Sequence, residues 1–265
     1  LWMLGVTAVG AYALTIALSP VLGVLIAGAT GKLHTEDGPP ASWAEVTPNL
    51  GWLLLGSLFA AALVNAGPIT VDILSADSPP ETVTRFGNAV IFARIPLFLF
   101  QAVQAALLPR LARLAAQRQL PEFKRGLRQL LILVVGVGIV GTIGAFMFGP
   151  WLLDLVYEGG IDRRTMTLLA FASALYMLAL ALAQAVIALS GHALVAAGWC
   201  AGFITFALVA WLSSNDLYLR VELALVASSV VSLVIFIATL SSRMNNGAIF
   251  DEASVIDAFA ERPLD

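Results

Sequence analysis

The chain is poor in what aqueous chemistry draws on. Its 265 residues hold one cysteine and two histidines, and only 12% are charged, against about one quarter in a soluble domain. The lone Cys200 excludes an intrachain disulfide, and no Cys/His spacing of a metal site exists. His34 stands among Thr35, Glu36 and Asp37 in a polar linker and reads as an ordinary solvated side chain. There is no Ser/His/Asp set and no paired intramembrane carboxylate, so hydrolytic or transfer chemistry has no visible residues. The deepest acids read from the sequence are Asp72 and Asp154, both near span ends. The net charge of −3 decides little, because topology follows where Lys and Arg sit.

What is abundant is apolar. Hydrophobic residues make up 60% of the chain. Runs of about 20 apolar residues recur, the length a bilayer core demands of a helix. The fold class expected is all-α, a polytopic transmembrane helix bundle of about seven spans. The chain opens at Leu1 inside an apolar segment, with no initiator Met, basic n-region or cleavage site. That reads as a span of a longer protein rather than a signal peptide.

Residues 1–27 form the first span, with Tyr12, Thr15 and Ser19 on one face and a kink at Pro20. Residues 28–49 are a hydrophilic linker with a short interfacial helix expected near Trp43. The second span is 50–74, with a bend expected at Gly67-Pro68. The third starts at a capping-box pattern, Ser78, Pro79 and Glu81, and runs to about Pro109. The rest of the bundle is expected to be arranged around this span. The fourth, 130–148, contains GVGIVG at 136–141. That string matches a dinucleotide fingerprint, but the fingerprint needs a turn in water before a helix, and these glycines lie inside an unbroken apolar run. Close helix packing through small residues accounts for them. Gly149-Pro150 is expected to break that helix, with WLLDLVYEGG following as an interfacial segment. The fifth span is 165–189 and the sixth 194–212, with a Gly198/Gly202 packing face. Trp199 and Trp211 lie toward the sixth span's two ends, as in an aromatic belt. The seventh is 220–240, and residues 241–265 form a polar tail holding a short amphipathic helix.

Basic residues sort by side. Lys32, Arg110, Arg113, Arg118, Lys124, Arg125, Arg128, Arg243 and Arg262 fall on one set of loops and Arg85, Arg163, Arg164 and Arg220 on the other. The positive-inside rule puts the larger set, the 28–49 linker and the C-terminus in the cytoplasm. The basic loop after the third span then sets topology and meets anionic head groups of the membrane lipids. Nucleic acid is excluded as a partner for want of exposed surface.

One cation falls at lipid depth. Arg94 lies about nine residues from Arg85, so roughly 13 Å deeper, and an ionisable side chain there costs roughly 2.5–3.5 kcal/mol on insertion scales. Gln101, seven residues on, shares its face and Gln104 flanks it. Matching depths between the antiparallel second and third spans sets Asp72 against Arg85 as a structural ion pair, and Asn65 against Arg94. Arg94 is thus left with a neutral partner. Its charge is met by a carboxylate outside this helix pair or by an anionic ligand, and a guanidinium fork suits phosphate oxygens.

The runs NAGPITVDIL and RFGNAVIFARIPLFLFQAVQAALLPRLARLAAQ resemble the seventh and eighth helices of bacterial polysaccharide flippases of the multidrug/oligosaccharidyl-lipid/polysaccharide exporter superfamily. The shared pattern is an Asp ending one helix (Asp72), a Gly at the start of the next (Gly87) and a closing L-x-P (Pro109). Asn88 stands where that family carries an aromatic. FGPWLLDLVYEGG resembles the segment after the family's ninth helix. The resemblance covers nearly all of 1–240. It implies the last helix of an N-terminal lobe (1–27), a cytoplasmic inter-lobe linker (28–49), a six-helix C-terminal lobe (50–240) and a cytoplasmic tail (241–265). It further implies alternating access in the bacterial inner membrane. Cationic cavity residues would receive the pyrophosphate of a polyprenyl-linked oligosaccharide, and glycan polymerase or ligase partners would lie nearby. No cofactor and no enzymatic activity are expected. A drug/cation antiporter of the same fold and a non-transporting membrane scaffold are the alternatives.

Overall fold

The computed structural model describes residues 9–30, 43–76, 78–117, 119–157 and 160–245. Lys32, His34, Arg118, Arg262, most of the 28–49 linker and the tail helix lie outside the described residues. The elements among those described are all helices: α1 (Val9–Ala29), α2 (Trp43–Leu74), α3 (Glu81–Ala93), α4 (Ile95–Ala116), α5 (Leu120–Val156), α6 (Arg163–Ala188), α7 (His192–Leu212) and α8 (Leu217–Asn245). Six are long and apolar enough to cross a membrane, and the bent pair α3–α4 passes the same test taken together, as one broken span or as a re-entrant loop. The protein is a multi-pass, all-α membrane protein. Its outward faces carry large apolar side chains such as Ile16, Leu58, Val140 and Leu208, the surface that hydrocarbon accepts.

The chain divides into two units, Leu1–Val46 and Thr47–Asp265. In the first, α1 runs through Pro20. A proline lacks the N–H that would bond the carbonyl four residues back. Here that carbonyl is Ile16 O, and Ser19 Oγ donates to it at 3.0 Å. Thr15 likewise bonds Ala11 O at 2.8 Å. Both hydroxyls thus serve their own helix.

In the second unit the central helix is α6, not the third span. It packs on α3, α4, α5, α7 and α8. Its alanines at 170, 172, 179, 181, 183 and 185 are buried, and such short side chains let several helices approach one axis. The α7–α8 seam works the same way. A Cβ on Gly198 would collide with the Phe236 ring and one on Gly202 with Ser232 and the Ser228 carbonyl. Ser232 Oγ donates across the seam to Gly198 O at 3.2 Å. Trp199 belongs to this interior rather than to an aromatic belt. It is 2% exposed and packs between the tilted Tyr176 ring and the edge-on Phe236 ring, with centroids at 5.2 and 5.1 Å. Trp211, 81% exposed, does face outward at the end of α7.

Five local expectations change. α3 begins at Glu81 with no side-chain cap, so Ser78 forms no capping box. α2 continues through Gly67-Pro68 to Leu74. α5 continues through Gly149-Pro150 to Val156, which absorbs the expected interfacial segment into the helix. Gly149 packs against Met166 of α6, so tertiary contact holds the helix together across the proline. The basic loop is largely helix: Arg110 and Arg113 end α4, while Lys124, Arg125 and Arg128 open α5. Trp43 starts α2 rather than a separate interfacial helix. In GVGIVG, a Cβ on Gly138 would lie 2.9 Å from Ala174 Cβ and one on Gly141 2.7 Å from Pro96 Cγ. That is the expected close helix packing.

Candidate functional site: a half-buried arginine at a helix break

The third span is broken. α3 ends at Ala93, α4 starts at Ile95, and the two axes differ by 43°. Pro96 is the cause. It offers no N–H to Phe92 O, and it disfavours helical geometry at Ile95. Arg94 sits at the joint with φ −96° and ψ −1°, and its amide still reaches Val90 O and Ile91 O.

The Arg94 guanidinium crosses to α2 and donates to Val64 O. That acceptor is free for a reason written four residues later. Pro68 has no N–H to give to Val64 O, so a side chain from the neighbouring helix meets the carbonyl, as membrane helices with prolines require. A guanidinium carries five N–H donors, so most remain. Arg94 also lines a small cavity of about 30 Å³, with Leu63, Val90, Leu97, Ser173, Tyr176 and Ser229 among the other walls. Tyr176 Oη donates to Ala60 O at 3.2 Å, tying α6 to α2 one turn from Val64. No described carboxylate pairs with Arg94; the ion pairs run Arg85–Glu81 and from Arg164 to Asp162, Asp216 and Glu222.

The other residues expected around Arg94 lie elsewhere. Asn65 is exposed and its amide bonds Ala61 O of its own helix at 2.8 Å. The depth match with Arg94 was one residue off in register, and the acceptor is the backbone of Val64. Gln101 is exposed and Gln104 half-buried, and neither lines the cavity. A seven-residue spacing sets two side chains on one face only along a continuous helix, and the break at Arg94 rotates α4 away. Asp72 is exposed, and no ion pair joins it to Arg85 among the described residues. Arg85 pairs instead with Glu81 at 3.0 Å, one turn away on the same helix. Among the described residues no group of His, Cys, Asp and Glu could hold a metal.

A second polar centre was not legible as such. Glu222, near the start of α8, is 0% exposed. Arg164 at the start of α6 shares its charge among Asp216 at 3.3 Å, Asp162 at 3.7 Å and Glu222 at 3.7 Å. Two of these acids have local work: Asp162 caps α6 through Thr165 N, and Asp216 caps α8 through Leu219 N at 3.0 Å. Glu222 has none. Neither of its carboxylate oxygens has a hydrogen-bond partner, and the buried Thr165 hydroxyl beside this cluster lacks one too. The reading that Asp72 and Asp154 are the deepest acids is therefore corrected.

The Leu219 amide, then Arg164, hold the Asp216 carboxyl below its ordinary range. A depressed carboxyl stabilises the fold above its unfolded value, and the contribution is lost as pH falls through the folded one. A melting series should therefore show stability falling on acidification. Asp216→Asn, which still caps, should flatten part of that slope. An unchanged slope would remove Asp216 from it.

No family model matches the chain, and neither a curated protein nor a solved structure matches it.

Proposed function

We propose that the chain forms part of a membrane transporter for an anionic, lipid-linked substrate, a polyprenyl-pyrophosphate-linked oligosaccharide moved across the bacterial inner membrane by alternating access. The observation that carries this reading is Arg94: a guanidinium in the interior of the bundle, beside a cavity, with no carboxylate partner among the described residues. A cation held at that depth is costly unless something negative meets it. A phosphate accepts two parallel N–H bonds from one guanidinium. The bent α3–α4 pair gives the site an interrupted helix, the form in which membrane proteins expose polar groups at midplane depth. The glycan itself would be recognised by the hydroxyl side chains at the site, Ser173 and Ser229 among them. Glycan polymerases or ligases would supply or consume the cargo. The protein catalyses no bond change in this reading. Surface glycan in cells whose only copy carries Arg94→Lys tests it, because lysine keeps a donor for Val64 O but loses the fork. A fall of about tenfold or more is expected from the lost bidentate pair; wild-type levels of surface glycan would remove phosphate recognition from Arg94.

Glu222 favours a second reading, the drug/cation antiporter of the same fold. A fully buried carboxylate with no hydrogen bond to either oxygen, and only Arg164 at 3.7 Å as an ion partner, is suited to a proton or sodium ion as the exchanged species. Glu222→Gln should then leave the protein folded and abolish dependence of transport on the ion gradient. Gradient dependence equal to wild type would reject the coupling role.

A further inference from the structure

At the end of the bundle where α4 turns into α5, a groove of about 440 Å³ runs between α5 and α8. Its floor is apolar: Leu127, Leu131 and Val135 from α5, Leu240 and Met244 from α8. Its mouth carries two cations, Lys124 and Arg128. They stand four residues apart on α5 and are therefore side by side on one face, about 6 Å from each other. Both are exposed, and neither is in an ion pair among the described residues. Nearby Arg243 is already engaged, donating to Leu189 O at 2.7 Å at the end of α6. From Lys124 to Val135 the groove descends roughly 16 Å into the bilayer at 1.5 Å per residue. The result is a pair of unspent positive charges at head-group depth directly above an apolar channel.

We propose that this groove is a binding site for one anionic phospholipid, with the phosphate of the head group on Lys124 and Arg128 and an acyl chain along Leu127, Leu131 and Val135. An anionic lipid complements both parts of the groove. A zwitterionic lipid brings its own ammonium to the mouth, where it opposes the two cations. The site is distinct from the Arg94 cavity, and it does not depend on whether the protein transports anything.

Native mass spectrometry of the whole chain in detergent, titrated with phosphatidylglycerol or with phosphatidylcholine of the same chains, tests this. The wild type should hold phosphatidylglycerol at least tenfold more tightly. Lys124→Gln with Arg128→Gln should bring it down to the phosphatidylcholine level. Val135→Trp, a lipid-exposed position that fills the groove without touching a charge, should weaken phosphatidylglycerol severalfold. Arg110→Gln with Arg113→Gln removes the same charge from the neighbouring helix end and should change little. Equal affinity for the two lipids, or equal losses from the two charge-removing pairs, would show diffuse attraction and overturn the site. Tight binding of a polyprenyl phosphate but of neither phospholipid would also overturn it, by assigning the groove to another occupant. Should the Lys124/Arg128 variant fail to fold, unchanged phosphatidylglycerol binding by Val135→Trp is sufficient to reject the proposal.

Discussion

Arg94→Ala is expected to abolish transport in a chain that also carries Pro68→Ala, although that background removes the structural need for the arginine. Arg94 has two jobs in this structure. It meets the Val64 carbonyl that Pro68 leaves open, and it lines the cavity. Alanine at 94 alone confounds them, because an unpaired buried carbonyl costs about 1–3 kcal/mol. Alanine at 68 restores the missing N–H, so the helix bonds Val64 O by itself. Thermal melts in detergent should show Arg94→Ala clearly destabilised and the double variant largely recovered. Transport should not recover: Pro68→Ala alone should export glycan, and the double variant should fall by about a hundredfold, the loss expected of a charged hydrogen-bonding pair worth roughly 3 kcal/mol. Recovery of both stability and transport would leave Arg94 as a helix tie and nothing more.

The second large effect concerns the α7–α8 seam. Gly202→Val should destabilise the bundle severely. A side chain there meets the Ser228 backbone carbonyl and Ser232, and Ser232 is itself committed to Gly198 O. Overpacking a close-packed interior costs typically 1–3 kcal/mol, and the lost seam hydrogen bond adds about 0.6 kcal/mol on membrane-protein averages. Gly136→Val is the matched control, since nothing lies within 4 Å of a Cβ at Gly136. A melting temperature lowered at 202 and unchanged at 136 is the expected pair. Equal effects at both positions would mean that helix propensity, not packing, is being measured.

The contrast between those two glycines shows what sequence can and cannot carry. Length and hydropathy locate the helices, because the bilayer sets both. GVGIVG is legible as packing, yet only the neighbours distinguish Gly138, against Ala174, from Gly136, which faces open space. Arg94 is legible by cost alone. Its acceptor is not, although Pro68 marks Val64 O once the missing N–H is counted four residues back. Pro96 carries a comparable signal: it breaks the third span and moves Gln101 and Gln104 off the face assigned to them. Glu222 escapes because it stands only two residues into the 220–240 span, where an acid is ordinary. Only the folded bundle shows that α6 and the α8 cap bury it.

The direct measurement is equilibrium binding of a polyprenyl pyrophosphate, with the matching polyprenol as reference, to the Pro68→Ala protein with and without Arg94→Ala. The expected result is a pyrophosphate affinity that falls about tenfold to a hundredfold when the arginine is lost, as one charged pair worth roughly 1.5–3 kcal/mol requires, while polyprenol affinity stays the same. Equal pyrophosphate affinity in the two proteins would contradict a phosphate-binding role for Arg94.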